Sequence, residues 1–172
     1  MLTPSKGGFG YFSARVGFAC DNVVSFEVVL ADGEIVTASP TIRPLLWRAM
    51  RGGGSNYGIV TKFVLNTFSL GPMWGGDAYY PASTLAAQTQ ALFSFTTSPN
   101  YDFNAGLIVN YAFTPASGAL ITNQYAYGQP VVNPPAFQPF TSIPGQLLNT
   151  TSLTTLPNFA NEQAKQSPNG LQ

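Results

Sequence analysis

Residues 45–68 read LLWRAMRGGGSNYGIVTKFVLNTF and combine a helix signal, a glycine cluster and a strand signal. Pro44, directly before them, suits the first position of a helix, where its missing N–H leaves no bond unmade. Gly52 is expected to end the helix in a left-handed conformation, and residues 58–68 are typical of a strand. The predicted helix has one apolar face at helical spacing: Leu45, Leu46, Ala49 and Met50.

Two nucleotide-binding interpretations of the glycine cluster fail on residue type and on order. A dinucleotide fingerprint needs G-x-G-x-x-G between a strand and a helix. Counted from Gly52, its last glycine position is Tyr57, and here the helix precedes the loop. A phosphate loop needs Lys and Ser or Thr after its last glycine, whereas Ile59 and Val60 follow Gly58. The residues alone therefore favour a helix cap followed by a tight turn into a strand.

The sequence before residue 45 holds a second glycine cluster and a hairpin. Residues 6–22, KGGFGYFSARVGFACDN, interleave glycines with aromatic residues. This pattern indicates either a glycine-rich turn with aromatics in a core or a backbone wall against a flat cofactor, where a Cβ would obstruct the approach. Residues 23–30 and 35–39 are predicted strands, and Asp32-Gly33 between them predicts a β-hairpin.

The second half of the chain predicts a separate unit. The stretch SLGPMWGGD, residues 69–77, breaks the strand pattern and predicts a domain boundary. In the helix predicted next, Ser83 is the expected cap and three side chains are expected to face inward: Leu85, Leu92 and Phe93. The predicted features are a helix over Pro81–Phe95, a hairpin of residues 105–113 and 119–127, and a proline-rich tail from Gln129.

Composition narrows the classes of function. The 172 residues include seven basic and seven acidic side chains, a charged fraction of 8%, and carry no net charge. Because no basic patch appears, a nucleic-acid partner is not predicted, and no apolar run is long enough for a membrane span. The single cysteine, Cys20, excludes an internal disulfide framework. The lack of histidine removes the commonest metal ligand and any Ser-His-Asp triad, so no metal site is predicted.

Two separated motifs resemble one flavoprotein family. Residues 7–36, GGFGYFSARVGFACDNVVSFEVVLADGEIV, and residues 45–68 resemble the FAD-linked oxidases of the p-cresol methylhydroxylase type, and especially the fungal berberine-bridge-enzyme-like oxidoreductases. The order of glycine turn, arginine, G-x-x-x-D-N, strand, Asp-Gly hairpin, helix, R-G-G-G and G-I-V-T is that of the family. Residues 133–144, NPPAFQPFTSIP, resemble the start of its substrate domain more loosely.

The resemblance implies that FAD is the cofactor and that backbone atoms hold it. Gly8 and Gly10 of the glycine turn would lie near FAD, while Gly58, Ile59 and Val60 would make backbone hydrogen bonds to it. These roles fit physical expectation, because amides bind a polar edge and glycine allows close approach. Ile59 and Val60 can be strand core at the same time, since only their backbone is used.

Residues beside these motifs have less direct predicted roles. Asp21 and Asn22 are expected to cap the entrance of the first strand, because Asx side chains commonly bond local backbone. Cys20 is expected to be a small buried hydrophobe rather than a flavin-linked thiol. No catalytic base is assigned. The tyrosines of the second half are predicted to be mostly packing residues with a wet tip: Tyr79, Tyr80, Tyr101, Tyr111, Tyr125 and Tyr127.

These observations predict an α+β chain in two pieces. Residues 1–69 would be the carboxyl-terminal part of an FAD-binding domain and residues 70–172 a partial substrate domain, so the chain is expected to be a fragment cut at both ends. The resemblance implies an FAD-dependent oxidoreductase that moves hydride from an alcohol, sugar or amine-type C–H of a small-molecule substrate to flavin, with oxygen as acceptor. The alternatives are a non-catalytic fragment that cannot retain FAD and a glycan-binding module.

One triplet lies outside these motifs. Asn149-Thr150-Thr151 matches the acceptor pattern of N-linked glycosylation, which matters only in a secreted chain, and such triplets arise often by chance. Many relatives in the family are secreted, but MLTPSKGGFGYFS carries no signal-peptide pattern. The sequence therefore assigns no localisation.

Overall fold

The computed structural model describes residues 6–114 and 118–166. It divides into two compact units, Met1–Ser69 (unit 1) and Leu70–Gln172 (unit 2). Each unit combines antiparallel strands with helices, so the predicted α+β class is confirmed. The assignment of the units to a cofactor domain and a substrate domain stays a prediction.

Unit 1 is built on the predicted hairpin. After a one-turn helix α1 (Ser13–Val16), strands β1 (Val23–Val29) and β2 (Ile35–Ala38) pair antiparallel. The turn between them closes with the Gly33 N–H donating to Leu30 O at 3.0 Å. Gly33 has φ +86°, a conformation that favours glycine, which explains why Asp-Gly was a reliable signal.

Helix α2 (Pro44–Met50) begins at the predicted proline, and Gly52 after it has φ +105°. The predicted apolar face is partly wrong, because Leu45 is 80% exposed. Leu46, Trp47 and Met50 contact the core of the unit instead. These three lie four and three residues apart and so share one side of the helix, whereas Leu45 is rotated away from it.

Strand β3 (Ile59–Leu65) pairs antiparallel with β1, giving the sheet order β2-β1-β3. Val60 packs against the core formed by the buried residues of unit 1: Val23, Phe26, Val28, Val36, Ala38 and Met50. Ile59 is 72% exposed, so its predicted place in a strand core is wrong. The pairing slips between Glu27 and Val28, where Thr61 of β3 is the extra residue.

Unit 2 contains a central strand that the sequence pattern did not predict. Strand β4 (Met73–Pro81) runs through the glycines of the expected break. A Cβ on Gly75 would lie 2.6 Å from Tyr125 O, and one on Gly76 would lie 2.7 Å from Thr150 O. Glycine is therefore required here by close neighbours in the sheet rather than by a turn, and the predicted break is wrong from Met73 onward.

The helix after β4 is shorter than predicted. Residues 82–84 form a 3₁₀ turn, Ser83 makes no capping bond, and helix α3 runs from Leu85 to Thr97. Leu85 and Phe93 are 50% and 63% exposed, and Gln88 and Ala91 are buried in their place. The Gln88 side chain can be buried because its Oε1 accepts a hydrogen bond from Asn123 Nδ2 at 2.8 Å.

The second predicted hairpin is present as β5 (Ala105–Thr114) and β6 (Gly118–Tyr127); residues 115–117 of its turn lie outside the described residues. The predicted proline-rich tail contains elements that the sequence pattern did not predict. It folds into the short helix α4 (Gln138–Thr141), strands β7 (Leu148–Asn149) and β8 (Ser152–Thr154), and helix α5 (Leu156–Gln166). The sheet order is β5-β6-β4-β7, and β8 also pairs with β4.

The core of unit 2 is aromatic, and the proline-rich segment supplies part of it. Phe137 and Phe140 are fully buried. The Phe137 ring lies 5.1 Å from the ring of Tyr125 and 6.0 Å from that of Trp74, measured between centroids. Prolines on either side restrict the backbone while these rings fill the core.

None of the helices in the described ranges is both long and apolar enough to cross a membrane.

Candidate cofactor site

The two glycine-rich segments of unit 1 lie beside each other. A Cβ built on Gly52 would be 4.0 Å from the backbone nitrogen of Gly7. The glycine turn is held from its other side, where Gly7 O accepts from Cys20 N at 2.8 Å and Gly8 O from Ala19 N at 2.7 Å. The two glycine segments, distant in sequence, therefore approach each other at Gly7 and Gly52.

Arg51 connects these segments, a role that sequence reasoning missed. Its Nε donates to Cys20 O at 2.6 Å, and its Nη2 lies 2.8 Å from Asp21 Oδ1. Its guanidinium also sits 4.6 Å from the centroid of the Trp47 ring. A planar cation can make all three contacts at once, so the arginine that ends the helix fixes the loop carrying the G-x-x-x-D-N motif. An arginine next to a glycine run was the available signal.

Gly8 and Gly10 differ in why they are glycines. Gly8 is buried with φ +76°, which by itself favours glycine. Gly10 has no positive φ, and no atom outside its chain neighbours lies within 4 Å of where its Cβ would be. Its N–H donates to Ser13 Oγ at 2.8 Å, a bond that any residue except proline could make. The packing of the described residues thus gives no reason for glycine at position 10.

Gly58 is required by unit 1 itself. Its φ is +138°, and a Cβ there would lie 2.5 Å from Val29 O and 2.7 Å from Val28 Cγ1. Both atoms belong to β1, the neighbouring strand. The glycine therefore allows β3 to approach β1 closely, and this requirement is independent of any ligand.

Ile59 and Val60 begin a strand at one edge of the sheet. Within residues 6–69, β3 pairs only with β1. Its outer edge therefore carries backbone donors and acceptors that another molecule or segment can bind. The extra residue at Thr61 places a bulge directly after Val60, and such bulges often lie next to binding sites.

The residues between the glycine turn and β1 have local roles. Asp21 Oδ2 accepts from Phe18 N at 2.9 Å, and Asn22 Nδ2 donates to Val16 O at 2.8 Å. The predicted capping role of this pair is confirmed. Cys20 is a free thiol of intermediate exposure, so the expectation that it is buried is wrong, because its short loop lies on the surface of unit 1.

Two exposed aromatic rings flank the glycine turn. Phe9 is 63% and Phe18 is 49% exposed, and their ring centroids are 6.1 Å apart. Large apolar side chains are usually withdrawn from water, so an exposed pair beside the bare backbone of Gly10 marks a surface suited to a flat ligand. The alternation of aromatics and glycines was the signal for it in the sequence.

Four tyrosines of unit 2 have pKa values shifted in the direction opposite to the one that a catalytic base needs. Burial, and to a smaller extent the nearby carboxylates, raise the pKa values of Tyr79 and Tyr101 above the ordinary value. Burial also raises the pKa of Tyr125, and it raises that of Tyr127 to about 12 with Asp102 adding to the effect. A phenol that acts as base near neutral pH needs the opposite shift. Tyr80 differs from the predicted wet-tip role, because its buried hydroxyl donates to Phe140 O at 3.0 Å.

Unit 2 is expected to lose stability above pH 10. A phenol whose pKa is raised by folding stabilises the fold fully below its unfolded value of about 10. This contribution is lost as the pH rises through the folded value, about 12 for Tyr127. Thermal unfolding from about pH 9 to 12 measures the loss. Tyr127→Phe should reduce the slope, whereas Tyr111→Phe, at a residue 54% exposed, should not; equal slopes would contradict the assignment.

Known proteins resemble the whole chain rather than one motif. The FAD-dependent monooxygenase elcE of Phaeosphaeria nodorum is 43% identical over 142 residues, which are 80% of this chain and 43% of that protein. The FAD-dependent monooxygenase tpcD of Cochliobolus heterostrophus is 38% identical over 173 residues, 96% of this chain and 33% of that protein. The oligopeptidase PhomG' of Diaporthe leptostromiformis is 37% identical over 152 residues, 87% of this chain and 12% of that protein. The chain thus spans less than half the length of these relatives. No family model matches it.

Solved structures share the fold. The 6-hydroxy-D-nicotine oxidase of Arthrobacter nicotinovorans aligns with a TM-score of 0.82 at 19% identity, covering 96% of this chain and 37% of that one. The xylooligosaccharide oxidase of Myceliophthora thermophila, solved with xylobiose, aligns with a TM-score of 0.74 at 27% identity, covering 96% of this chain and 35% of that one.

The fold of the chain is therefore that of FAD-linked oxidases. Over most of its length the chain is similar to FAD-dependent monooxygenases, and its structural neighbours are FAD-linked oxidases of the p-cresol methylhydroxylase and berberine-bridge-enzyme-like type.

Proposed function

We propose that the protein is an FAD-dependent oxidoreductase and that unit 1 forms one wall of its FAD site. Similarity to FAD-dependent relatives supports FAD as the cofactor. The geometry of Gly10 is the single observation that supports the proposed position of FAD on unit 1. The fold gives no steric reason for glycine at that position. A ring pressed against the backbone does, because a Cβ would hold it off.

The proposed wall has three parts. The backbone of Gly8 and Gly10 lies against the cofactor, and the exposed rings of Phe9 and Phe18 contact an apolar face of it. Ile59 and Val60 bind a polar edge of the cofactor through backbone groups on the open side of β3, which Gly58 brings close to β1. Arg51 holds the two glycine segments in register without touching the cofactor.

When bound, FAD supplies the redox chemistry by accepting hydride from a substrate C–H. The proposed substrate is a small molecule with an alcohol, sugar or amine-type C–H, and oxygen is the proposed electron acceptor. Two of the three relatives described above are named monooxygenases and both solved neighbours are named oxidases, and oxygen as acceptor is compatible with both names. The contribution of unit 1 is to position the ring and limit its exposure to water.

The test is FAD binding by the chain and by two matched glycine variants. Purified chain mixed with FAD should keep flavin absorbance through gel filtration. Gly10→Ala should weaken FAD binding about tenfold or more, equivalent to ~1.4 kcal/mol, without lowering the melting temperature. Gly71→Ala is the control, since that glycine also has an ordinary φ and open space but lies outside the proposed wall.

Two outcomes would count against the proposal. Equal FAD affinities for Gly10→Ala and Gly71→Ala would contradict the proposed position of FAD against Gly10. A chain that folds, stays colourless and ignores added FAD would favour the alternative of a fragment unable to retain the cofactor. The exposed apolar residues of β3, such as Ile59 and Leu65, are the observation that favours this alternative.

A further inference from the structure

The turn between β7 and β8 lies at the outer edge of the sheet in unit 2. Both strands pair with β4, on the side opposite β6. Thr150, at the middle of the turn, is exposed but bonded to the central strand: its N–H donates to Asp77 O at 2.8 Å, and its Oγ1 accepts from Asp77 N at 2.9 Å. The turn is therefore fixed to the sheet by its central residue.

The side chains of Asn149 and Thr151, on either side of Thr150, bond to each other rather than to the central strand. Asn149 is exposed, and its Oδ1 accepts two hydrogen bonds from Thr151, from the backbone N–H at 2.9 Å and from Oγ1 at 2.7 Å. Asn149 Nδ2 donates only at the surface, to Gln146 Oε1 at 3.0 Å. A group attached to Nδ2 would cost one exposed hydrogen bond and leave the Asn149–Thr151 pair intact.

We propose that Asn149 is an N-glycosylation site of this protein when the chain passes through a secretory pathway. Asn149-Thr150-Thr151 is an Asn-x-Thr triplet, and no other Asn-x-Ser/Thr triplet with a non-proline middle residue occurs in the sequence. The acceptor is read before folding is complete, so the folded structure decides whether the product can be accommodated. Here Asn149 is exposed, and its Nδ2 takes no part in the hydrogen bonds that hold the turn to β4.

The chemistry is a group transfer with a balanced set of bonds. The donor class is an oligosaccharide joined through its anomeric carbon to a lipid diphosphate. The bond between Asn149 Nδ2 and that carbon forms as the bond from the carbon to the diphosphate oxygen breaks. The amide nitrogen loses one proton to a base of the transferring enzyme or to solvent, the lipid diphosphate leaves with the electron pair of the broken bond, and no oxidant or reductant is needed.

A glycan at this turn would serve a physical need of the chain. Only 8% of the residues are charged, far below the usual quarter. Electrostatic repulsion between copies of the chain is therefore weak. The turn also joins the two short strands at the sheet edge, and such edges can pair with other chains. A bulky, hydrated group on Asn149 would cover that edge.

The test uses the complete 172-residue chain behind a cleavable secretion leader in a yeast host. Intact mass is measured before and after treatment with a peptide N-glycosidase, on secreted and cell-retained material together. The expected result is a glycan removed by the enzyme, with Asn149 converted to aspartate in peptide mass spectra. Asn149→Gln and Thr151→Ala should each abolish the glycan. Thr150→Ser should keep it, because the middle position is free and the hydroxyl that binds Asp77 is retained.

A positive control distinguishes an acceptor site that is not glycosylated from a chain that does not enter the secretory pathway. Ala160→Thr creates a second triplet at Asn158, and both residues are exposed on α5. The proposal is overturned if the Ala160→Thr protein carries a glycan at Asn158 while Asn149 stays unmodified. It is also overturned if the host leaves both sites bare although the leader has been removed.

Discussion

Replacing Phe137 with alanine is expected to lower the free energy of unfolding of unit 2 by about 3–5 kcal/mol, the range for a buried aromatic side chain. Phe137 is fully buried. Its ring packs against four others, with the nearest centroid, that of Tyr125, at 5.1 Å. Its removal would open a cavity in the centre of the core and take away these aromatic contacts.

The matched control is Phe93→Ala in the same unit, since Phe93 is 63% exposed and its loss should change stability by no more than about 0.5 kcal/mol. Hydrogen–deuterium exchange of peptides from β4 and β6 reports on unit 2 separately from unit 1. If both variants exchanged at the same rate as the unsubstituted chain, the proline-rich segment would not be part of this core.

Replacing Gly58 with alanine is expected to destabilise unit 1 by about 2–4 kcal/mol, which combines strain at a positive φ with overpacking. The added methyl would meet Val29 O at 2.5 Å, and that carbonyl belongs to a paired strand. The first turn of β3 would have to separate from β1. Increased amide exchange in residues 23–29 and 59–65 measures this effect.

Gly10→Ala is the matched control for this prediction. Position 10 has open space and no positive φ, so its stability should be unchanged or slightly increased. The two variants should therefore have different defects. Gly58→Ala should lose stability, whereas Gly10→Ala should lose FAD affinity and keep its stability. If amide exchange in Gly58→Ala matched that of the unsubstituted chain, the added methyl would not clash with β1, and β3 would lie further from β1 than the 2.5 Å approach to Val29 O indicates.

The elements that were predictable depend on local chemistry. The Asp32-Gly33 turn, the proline at the start of α2 and the β-branched residues of β1 act within a few residues of themselves. The elements that were missed depend on distant partners. Gly75 and Gly76 look like a break until Tyr125 and Thr150 are seen against them.

The same distinction applies to the candidate site. The glycine turn and G-I-V-T were located by resemblance, and the proposed cofactor contacts of Gly8, Gly10, Gly58, Ile59 and Val60 stay predictions. The sequence could not separate Gly58, which is needed by a strand, from Gly10, which the described fold does not need. That difference depends on which atoms surround the position that a Cβ would occupy at each glycine. For Gly58 these atoms belong to β1, a different part of the chain.

By itself, the sequence determined the α+β class, the β1–β2 hairpin, α2 with β3, and the resemblance to FAD-linked oxidases, because these are carried by short-range turn chemistry, periodicity and motif order. The tertiary structure alone decided which apolar residues are buried, that β4 runs through a glycine pair, and that the proline-rich segment fills a core. It also decided that Arg51 joins the two glycine segments and that Asn149 faces water. The physical reason is that burial and close approach are properties of pairs of residues distant in sequence, and no window of the chain contains both members.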